Sequence, residues 1–440
     1  MTRHTAPPLT PSPPLPLPSL LLALGLLAHA PAALAAPVFD VTAFGAVGDG
    51  ATDDTKAVRA ALAAAAAAGP STVLFPAART FLTGAFNLSS DLVLRVEGGV
   101  LAWPGGEDGH FVVAGTLPWF GPTDVPAWQA FIHSDGADNI TLLGSGVIDG
   151  NGEHWWKCAC AGGNPADAPC LGIDRPRLVH LIRGTGLVIR DLAFRNSPMW
   201  HLRPSWFSDV FITNVSITAP ETDPNTSCNT DGIDPDGAQN FLMTDSYISV
   251  GDDAIAIKSG LNWFGREFGR PAQNLTFRNL RIGTGHGISI GSEMSANVTD
   301  VLFENISLDG TSTGPRIKSE RGRGGLVANV LYRNVSMVNV SSVFQITEYY
   351  INPPPPTNAS ATPHFRNITL EGVTARGAKV GAFLDGIPES IIEGVVLRNC
   401  DFGTAAASTC AYTEGVCEGT VLPACPPCLN ATSAQGGEVG

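Results

Sequence analysis

The clearest pattern in the chain is a short phrase of alternating apolar residues that recurs from about residue 187 onward. Each copy has an apolar residue at its first and third positions, Asn or Asp at its fifth, and another apolar residue at its sixth. The Asn or Asp positions are Asp191, Asn214, Asn279, Asn305 and Asn334. They are 23, 65, 26 and 29 residues apart, and the 65-residue step holds a further copy around residues 240–248. Short strands at this spacing, with no long helix between them, predict stacked coils.

The same pattern predicts which way the side chains point. Alternating apolar residues face inward, and Asn at each corner can bond to the equivalent Asn of the next coil. A sandwich or barrel would show turns about every 8–12 residues and many hairpin dipeptides, which are scarce here. We therefore predict an all-β, single-domain right-handed parallel β-helix.

This interpretation divides the chain into three segments. Residues 1–35 are predicted to be a signal peptide, residues 36–400 the β-helix, and residues 401–440 a Cys-rich C-terminal cap or tail. Within the β-helix, residues 39–70 are predicted to cap the N-terminal end, because an open solenoid end exposes strand edges. The Ala-dominated run at 57–68 predicts the capping helix, which residues 52–55 begin and Gly69-Pro70 ends.

Composition narrows the class of protein. The chain has 440 residues, 44% of them hydrophobic, which is enough for a large core and argues against disorder. Charged residues make up only 15%, which argues against a coiled coil. The formal net charge of −14 argues against a nucleic-acid partner, since duplex binding needs a basic surface.

The N-terminal residues indicate secretion. A Leu/Ala run at 20–28 is too short for a stable membrane span, and Ala33-Leu34-Ala35 fits a signal-peptidase site, so we expect cleavage after Ala35. A misassigned start codon is the alternative. We expect no membrane anchor, because no second apolar run of membrane length follows and the C-terminal end is polar. The expected location is extracellular or in a cell wall, and the expected state is a monomer.

Cysteines and glycosylation sequons agree with secretion. Five of the nine cysteines fall in the last 41 residues, as in local disulfide staples, but the pairing cannot be deduced and one thiol is left over. Cys158-x-Cys160 and Cys425-x-x-Cys428 could instead be metal ligands. The sequons are Asn87, Asn139, Asn214, Asn225, Asn274, Asn297, Asn305, Asn334, Asn339, Asn358, Asn367 and Asn430.

Four polar motifs are spaced at about one coil each. They are Asn-Thr-Asp at 229–231, Gly-Asp-Asp at 251–253, Gly-His-Gly at 285–287 and Arg-Ile-Lys at 316–318. The steps are 21 residues from Asp231 to Asp252, 33 from Asp253 to His286, and 30 from His286 to Arg316. Because stacked strands are about 4.8 Å apart, these motifs should form one row along a groove.

That row has the groups that glycosidic hydrolysis needs. One protonated carboxylic acid must serve the leaving oxygen, and one carboxylate must activate water. Crowded carboxylates raise one another's pKa, and an Arg–Lys pair can hold a substrate carboxylate. Taken singly, each motif is more often a turn, a loop histidine or a solvated face. Four of them at coil spacing are hard to obtain by chance.

The four motifs resemble the signature of glycoside hydrolase family 28, the polygalacturonases, in its plant and bacterial branch. The resemblance covers nearly the whole chain after residue 35, including the cap phrase at 44–50, the Gly-rich phrase at 146–152, and residues 291–295 and 322–325. It implies a secreted hydrolase that cleaves α-1,4-galacturonosyl bonds of pectin by a single displacement with inversion. It implies pectic polysaccharide as the partner and no metal or other cofactor.

The resemblance also implies catalytic roles. Asp252 would be the general acid, while Asp231 and Asp253 would position and activate the water. His286 would support the protonation of the acid and contact the substrate.

The remaining roles concern substrate binding. Arg316 and Lys318 would bind a galacturonate carboxylate beside the cleavage point, and Asn229 would shape the site. A tyrosine is expected one coil later; Tyr349 and Tyr350 both qualify, and Tyr350 is chosen.

Departures from the family pattern favour exo over endo action slightly. An extra loop at 259–273 and a proline-rich insertion at 353–356 could close the groove at an end, and Glu348-Tyr349-Tyr350 replaces a more usual phrase. We also expect Lys258, Arg321 and Arg323 to add to a local positive site within the acidic protein.

Three other functions fit the same residues. The first is family-28 hydrolysis of rhamnogalacturonan or xylogalacturonan, and the second is a Ca²⁺-assisted lyase that removes the C5 proton. The third is a non-catalytic β-helix that binds wall polysaccharide; the complete motifs argue against it.

Overall fold

The structure is a computed structural model that describes residues 36–106, 109–114, 126–160, 162–220, 227–350, 361–405 and 407–432. Residues 36–440 form one compact unit. The proposed signal peptide and the proline-rich insertion lie outside the described residues, as do Asn225 and Asn358. Among the helices of the described residues, none has the length and apolar character of a membrane span.

The described chain is built almost entirely of short parallel strands. The helical segments are a 3-10 turn (Val41–Phe44), α1 (Thr55–Ala68), α2 (Glu153–Ala159) and α3 (Asn262–Phe268). The strands are β1 (Val38–Asp40), β2 (Asp49–Asp53), β3 (Ser71–Phe75), β4 (Thr80–Thr83), β5 (Phe86–Asn87), β6 (Leu92–Val96), β7 (Gly99–Ala102), β8 (Val113–Ala114), β9 (Ala127–Trp128), β10 (Ile132–Asp135), β11 (Ile140–Leu143), β12 (Val147–Asp149), β13 (Val179–Arg190), β14 (Ala193–Arg195), β15 (Leu202–Thr213), β16 (Ser216–Thr218), β17 (Gln239–Thr244), β18 (Tyr247–Ser249), β19 (Ile255–Ile257), β20 (Ala272–Ile282), β21 (Ile288–Gly291), β22 (Val298–Asp309), β23 (Pro315–Lys318), β24 (Leu326–Val338), β25 (Ser342–Thr347), β26 (His364–Glu371), β27 (Thr374–Arg376), β28 (Val380–Asp385), β29 (Ile392–Asp401), β30 (Thr409–Ala411), β31 (Thr413–Leu422) and β32 (Leu429–Thr432).

The recurring phrase sets the strand register, as predicted. The phrases in β13, β15, β17, β20, β22 and β24 pair in order, so that Leu187 lies beside Val210 and Leu275 beside Val301. All these pairings are parallel, and the predicted right-handed parallel β-helix is confirmed.

Stacked aromatic rings fill the core on successive coils. Phe277 lies 5.1 Å from Phe241 and 5.1 Å from Phe303 between ring centroids, and Phe303 lies 4.8 Å from Tyr332. Each such contact contributes roughly 0.5–1.5 kcal/mol beyond the burial of the rings.

Asparagine ladders join the coils at the corners. The Nδ2 of Asn334 donates to Asn305 Oδ1, and Asn305 Nδ2 donates to Asn279 Oδ1. Asn279 in turn donates to Asp245. These residues have positive φ values near 50°, which Asn and Asp tolerate better than other residues with a Cβ. The phrase therefore contains both the strand and the turn that ends it.

The capping helix forms where the alanine run predicts it. Its buried face consists of Val58, Ala61, Leu62 and Ala65. Asp53 Oδ1 accepts hydrogen bonds from the Thr55 backbone N–H and hydroxyl at the helix start. Gly69 follows the last helical residue with a φ of 82°. The helix thus covers the first coils with a small apolar face.

Eight cysteines form four disulfides. The pairs are Cys158–Cys170, Cys160–Cys228, Cys410–Cys428 and Cys417–Cys425. The metal-ligand alternative for these cysteines is wrong, because their sulfurs are bonded to one another. The odd cysteine is Cys400, which is a buried thiol.

A six-stranded parallel sheet forms one face of the second half of the solenoid, and we call it the site sheet. It consists of β19, β21, β23, β25, β28 and β30 in that order. Isoleucines of its strands, such as Ile255, Ile288 and Ile317, are fully buried in the core. Side chains that alternate with these isoleucines, such as Ser289, Arg316 and Lys318, therefore point away from the core.

Candidate active site

Three of the predicted motifs lie side by side on the site sheet and its extension. Ile233 bridges to Ile255 in the next coil, and Ile255 pairs with Ile288 in the one after. Asp231, Asp253 and His286 each precede one of these isoleucines by two residues. The backbone of each coil therefore brings these three side chains to the same position along the sheet.

Two predicted steps are corrected by the register. The residue that aligns with Asp231 is Asp253, not Asp252. Arg316 pairs with Ser289, three residues beyond His286. The turns between strands differ in length from coil to coil, so a residue count between motifs does not equal one coil.

Asp252 and His286 form a hydrogen-bonded pair. The Nδ1 atom of His286 lies 2.9 Å from Asp252 Oδ1, and the His286 backbone N–H donates to the Asp252 carbonyl. The Asp252 carboxylate also accepts from the Asp253 backbone N–H at 2.8 Å. Both side chains remain partly exposed, at 19% for Asp252 and 38% for His286, so a substrate can reach them.

Asp253 is held by three side chains. Lys318 Nζ donates to its Oδ2 at 2.6 Å, and the Ser289 hydroxyl donates to its Oδ1 at 2.8 Å. Arg316 Nη1 lies 3.8 Å from the same Oδ1. Asp253 is 1% exposed, so this network fixes a buried carboxylate next to the more open Asp252.

The two predicted cations share a tyrosine. The guanidinium of Arg316 lies 5.4 Å from the ring centroid of Tyr350, and Lys318 Nζ lies 5.0 Å from it. Tyr349 instead lies against Arg321, at 5.3 Å. Tyr350 is therefore the tyrosine that the structure brings to the Arg–Lys pair.

Asn229 and Asp231 belong to a tight turn. Asn229 has a left-handed φ of 54°, and the Thr230 hydroxyl donates to the Ser227 carbonyl. The Gly251 backbone N–H donates to Thr230 Oγ1 at 3.0 Å, which ties this turn to the Gly-Asp-Asp motif. Asp231 itself is buried. The turn therefore places an exposed Asn229 two residues before the buried Asp231.

The other expected cations are already paired. Lys258 Nζ lies 3.1 Å from Glu293 and 3.4 Å from Asp234. Arg321 pairs with Glu389 and Arg323 with Glu320, and these ion pairs leave little net positive charge for a substrate. Arg316 and Lys318 differ in that both face a single carboxylate, that of Asp253, so this pair keeps a net positive charge.

Burial separates the pKa values of the carboxyl groups. Burial, with the neighbouring carboxylates of Asp234 and Asp252, raises the pKa of Asp231 well above its usual value. Burial also raises the pKa of Asp234 to about 7, although Lys258 opposes it. Burial disfavours the ionised form of Asp252 as well, but the hydrogen bond and charge of His286 outweigh it and lower the pKa of Asp252 to about 2.

His286 and Lys318 keep their protons. The hydrogen bond with Asp252 raises the pKa of His286 above its usual value. Burial disfavours the charged form of Lys318, but Asp253 outweighs it and raises the pKa of Lys318. At mildly acidic pH the site thus holds an imidazolium next to the Asp252 carboxylate and an ammonium next to Asp253.

Asp252, Asp253 and His286 are also the residues that could hold a metal ion. Their ligand atoms all lie within 4.8 Å of one another. The Lys318 ammonium already neutralises Asp253 at 2.6 Å, however, so the charge of this cluster is balanced by protein cations.

The loop at 259–273 contains α3. Arg266 Nη1 donates to the carbonyls of Gly322 and Arg323, and Phe268 stacks on Trp206 at 3.5 Å. These contacts join α3 to β15 and to the turn after β23. That this loop walls off an end of the groove stays a prediction.

Sequence reasoning did not identify several buried residues of the site. Asp234 could have been found from strand alternation, because it directly follows Ile233, whose side chain is buried in the core. Arg175 carried no signal, since its contacts with Cys228 and Asn229 join segments 53 and 54 residues apart. The pairing of Lys258 with Glu293 likewise depends on stacking of two coils.

The fold and the site together define a β-helix glycoside hydrolase. The family model for glycosyl hydrolases family 28 matches residues 71–417, and the one for rhamnogalacturonase A/epimerase, pectate lyase-like proteins matches residues 38–94. A protein named probable polygalacturonase from Vitis vinifera is 31% identical over 87% of this chain and 78% of its own. A polygalacturonase from Cryptomeria japonica is 30% identical over 88% and 72%.

A solved structure shows the same fold. The exopolygalacturonase from Thermotoga maritima superposes with a TM-score of 0.75 and 24% identity, over 91% of this chain and 93% of that one. The chain belongs to glycoside hydrolase family 28.

Proposed function

We propose that the protein is a secreted polygalacturonase, which hydrolyses α-1,4-galacturonosyl bonds of pectin by a single displacement with inversion. The observation that carries the proposal is the pairing of Asp252 with His286 directly beside Asp253, Arg316 and Lys318. A galacturonan substrate has a carboxylate on every sugar, and the Arg–Lys pair is the chemistry that recognises one. The named relatives are polygalacturonases.

Proton transfer is assigned to the pair of Asp252 and His286. The pair shares one proton, which rests on the imidazole at mildly acidic pH because the pKa of His286 is raised and that of Asp252 is lowered; both side chains are partly exposed. Asp252 delivers this proton to the leaving oxygen, and His286 resupplies it. Asp253, which accepts a hydrogen bond from Lys318 at 2.6 Å, takes up the proton of the attacking water, and Asp231 orients that water.

Substrate binding is assigned to the other four residues. Arg316 and Lys318 bind the carboxylate of a galacturonate beside the cleavage point, and the Tyr350 ring packs against both cations. Asn229 shapes the neighbouring pocket. No step of this mechanism is assigned to a metal or another cofactor.

The exposure of the residues stacked in line with Arg316 favours attack at a chain end. In the N-terminal coils this row contains Arg203 and His180, whose exposed fractions are only 2% and 6%. Gln345 and Phe383, which continue the row in the other direction, are half-buried, and Thr409 is exposed. The groove is therefore covered on one side of the carboxylates and more open on the other, which supports exo action.

The four disulfides support secretion, because such bonds persist in oxidising compartments. The protein is proposed to act as a monomer outside the cell or in a cell wall.

A time course on de-esterified polygalacturonate, with products sized by chromatography, tests the proposal. Galacturonate monomer at the earliest times is expected, and a spread of oligomers would contradict exo action. New reducing ends only from rhamnogalacturonan or xylogalacturonan would reassign the backbone. Products that absorb in the ultraviolet as unsaturated uronides would indicate a lyase, and binding without turnover would indicate a polysaccharide-binding protein.

A further inference from the structure

Arg175 is a buried arginine that joins three segments next to the carboxylates. Its Nη1 donates to the carbonyls of Pro198 and Cys228, both at 2.8 Å, and its Nη2 donates to Asn229 Oδ1 at 3.0 Å. The residue is 4% exposed, so a substrate does not reach the guanidinium directly.

The segments that Arg175 joins include the turn that carries Asp231. Cys228 and Asn229 are the third and second residues before Asp231, and Cys228 is also tied to Cys160 by a disulfide. Without the guanidinium, the Cys228 carbonyl and the Asn229 carboxamide would each lose a charge-assisted hydrogen-bond partner. Arg175 thus restricts the turn from which Asp231 projects.

The charge of Arg175 acts on the same carboxylates. Burial lowers its pKa to about 10, so it stays charged at acidic and neutral pH. The charged groups that face it are Asp174, Arg177, Asp231 and Asp252. Its attraction to Asp231 and Asp252 favours the ionised forms of both.

We propose that Arg175 is a positioning residue for hydrolysis, which holds the turn of Asn229 and Asp231 in place and supplies a fixed positive charge beside the carboxylates. The inference rests on the proposed function. It assigns to Arg175 a role through other side chains, without contact with the substrate.

Two substitutions separate the charge from the hydrogen bonds. Arg175→Gln removes the charge, whereas Arg175→Lys keeps the charge but not the planar fork that reaches three acceptors. Both variants are expected to lower kcat by about 10- to 100-fold with little change in KM, because the turn shifts but the substrate contacts remain. In Arg175→Gln the acidic limb of the pH profile is expected to move up by roughly one pH unit, because Asp231 takes up a proton more readily without the positive charge. In Arg175→Lys the charge remains, so the limb is expected to stay in place.

Arg270→Gln is the matched control. Arg270 also joins buried segments, by donating to the carbonyls of Gly237 and Trp206 and to the Ser208 hydroxyl. Its loss is expected to lower thermal stability and to leave the acidic limb where the wild type has it. Profiles are measured on polygalacturonate at a temperature where circular dichroism shows every variant folded.

The outcomes are distinguishable. An Arg175→Gln variant with wild-type kcat and acidic limb overturns the inference, as does one whose only defect is a lower Tm. An equal shift of the limb in Arg270→Gln also overturns it. A wild-type protein that releases no reducing ends from polygalacturonate overturns the proposed function instead, before any variant is compared.

Discussion

Glu348 makes the stability of this protein depend on pH. Its side chain is 0% exposed, and Oε2 accepts a hydrogen bond from the Ile387 backbone N–H at 3.0 Å. Among the described residues, Oε1 has no hydrogen-bond partner. Burial raises the pKa of Glu348 from 4.5 to about 8, so the folded protein keeps this carboxyl protonated at neutral pH.

The raised pKa implies a loss of stability as pH rises. Above its ordinary pKa the carboxyl ionises in the unfolded chain but not in the folded one, so the unfolded state binds fewer protons. Each pH unit in the window between 4.5 and about 8 then costs about 1.4 kcal/mol. From pH 5 to pH 7 the free energy of unfolding falls by about 2–3 kcal/mol through this residue.

The Glu348→Gln variant should remove that dependence. The amide is similar in shape to the protonated acid, and its oxygen can accept the same hydrogen bond from Ile387. Compared with the wild type, the variant is expected to gain about 2–3 kcal/mol between pH 5 and pH 7. Urea unfolding at pH 5, 6 and 7, followed by tryptophan fluorescence, measures the difference.

Glu389→Gln is the control for this comparison. Glu389 is a neighbouring acid whose hydrogen bond from Arg321 lowers its pKa, so its contribution to stability is lost as pH falls, the opposite sign. Parallel pH dependence in the wild type and the Glu348→Gln variant would refute the reasoning, because it would show that Glu348 ionises alike in the folded and unfolded states.

Four further predictions concern the reaction. Asp252→Asn should lower kcat by about 10²–10⁴-fold without loss of fold, measured by reducing-end release; unchanged turnover would exclude it as the acid. The wild type should lose activity as pH rises through the raised pKa of His286, and His286→Gln should remove this alkaline limb from the pH profile; an optimum above neutrality would contradict the assignment. Lys318→Met should raise KM for polygalacturonate and lower kcat, since Asp253 loses its partner at 2.6 Å; a change in neither would exclude both roles. Tyr350→Phe should keep most affinity and Tyr350→Ala should lose about 5- to 30-fold, because the ring face contacts the cations; equal effects would point to the hydroxyl.

Much of the fold could be read from local pattern. The phrase around Asn279, Asn305 and Asn334 contains both the inward apolar alternation and the left-handed corner, so each copy specifies its own strand and turn. Repetition then makes neighbouring copies pair in register. The alanine run likewise predicted the capping helix, because helix propensity acts within a few residues.

The sequence predicted which residues make up the site, but not which of them lie side by side on neighbouring coils. The motifs that contain Asp231, Asp253 and His286 do meet, yet Arg316 aligns with Ser289 because the intervening turns differ in length. Turn length is not visible in a count between motifs. The choice of Tyr350 over Tyr349 similarly depended on the direction of a turn after β25.

By itself, the sequence determined the kind of fold and the chemical groups of the site, because strand alternation, corner residues and short motifs are local properties of the chain. Only the tertiary structure decided the disulfide pairs, the contacts of α3, the ion pairs of Lys258 and the place of Arg175. Each of these joins segments that are distant in sequence. A buried charge or thiol takes the partner that coil stacking brings within reach, and that partner depends on every turn in between.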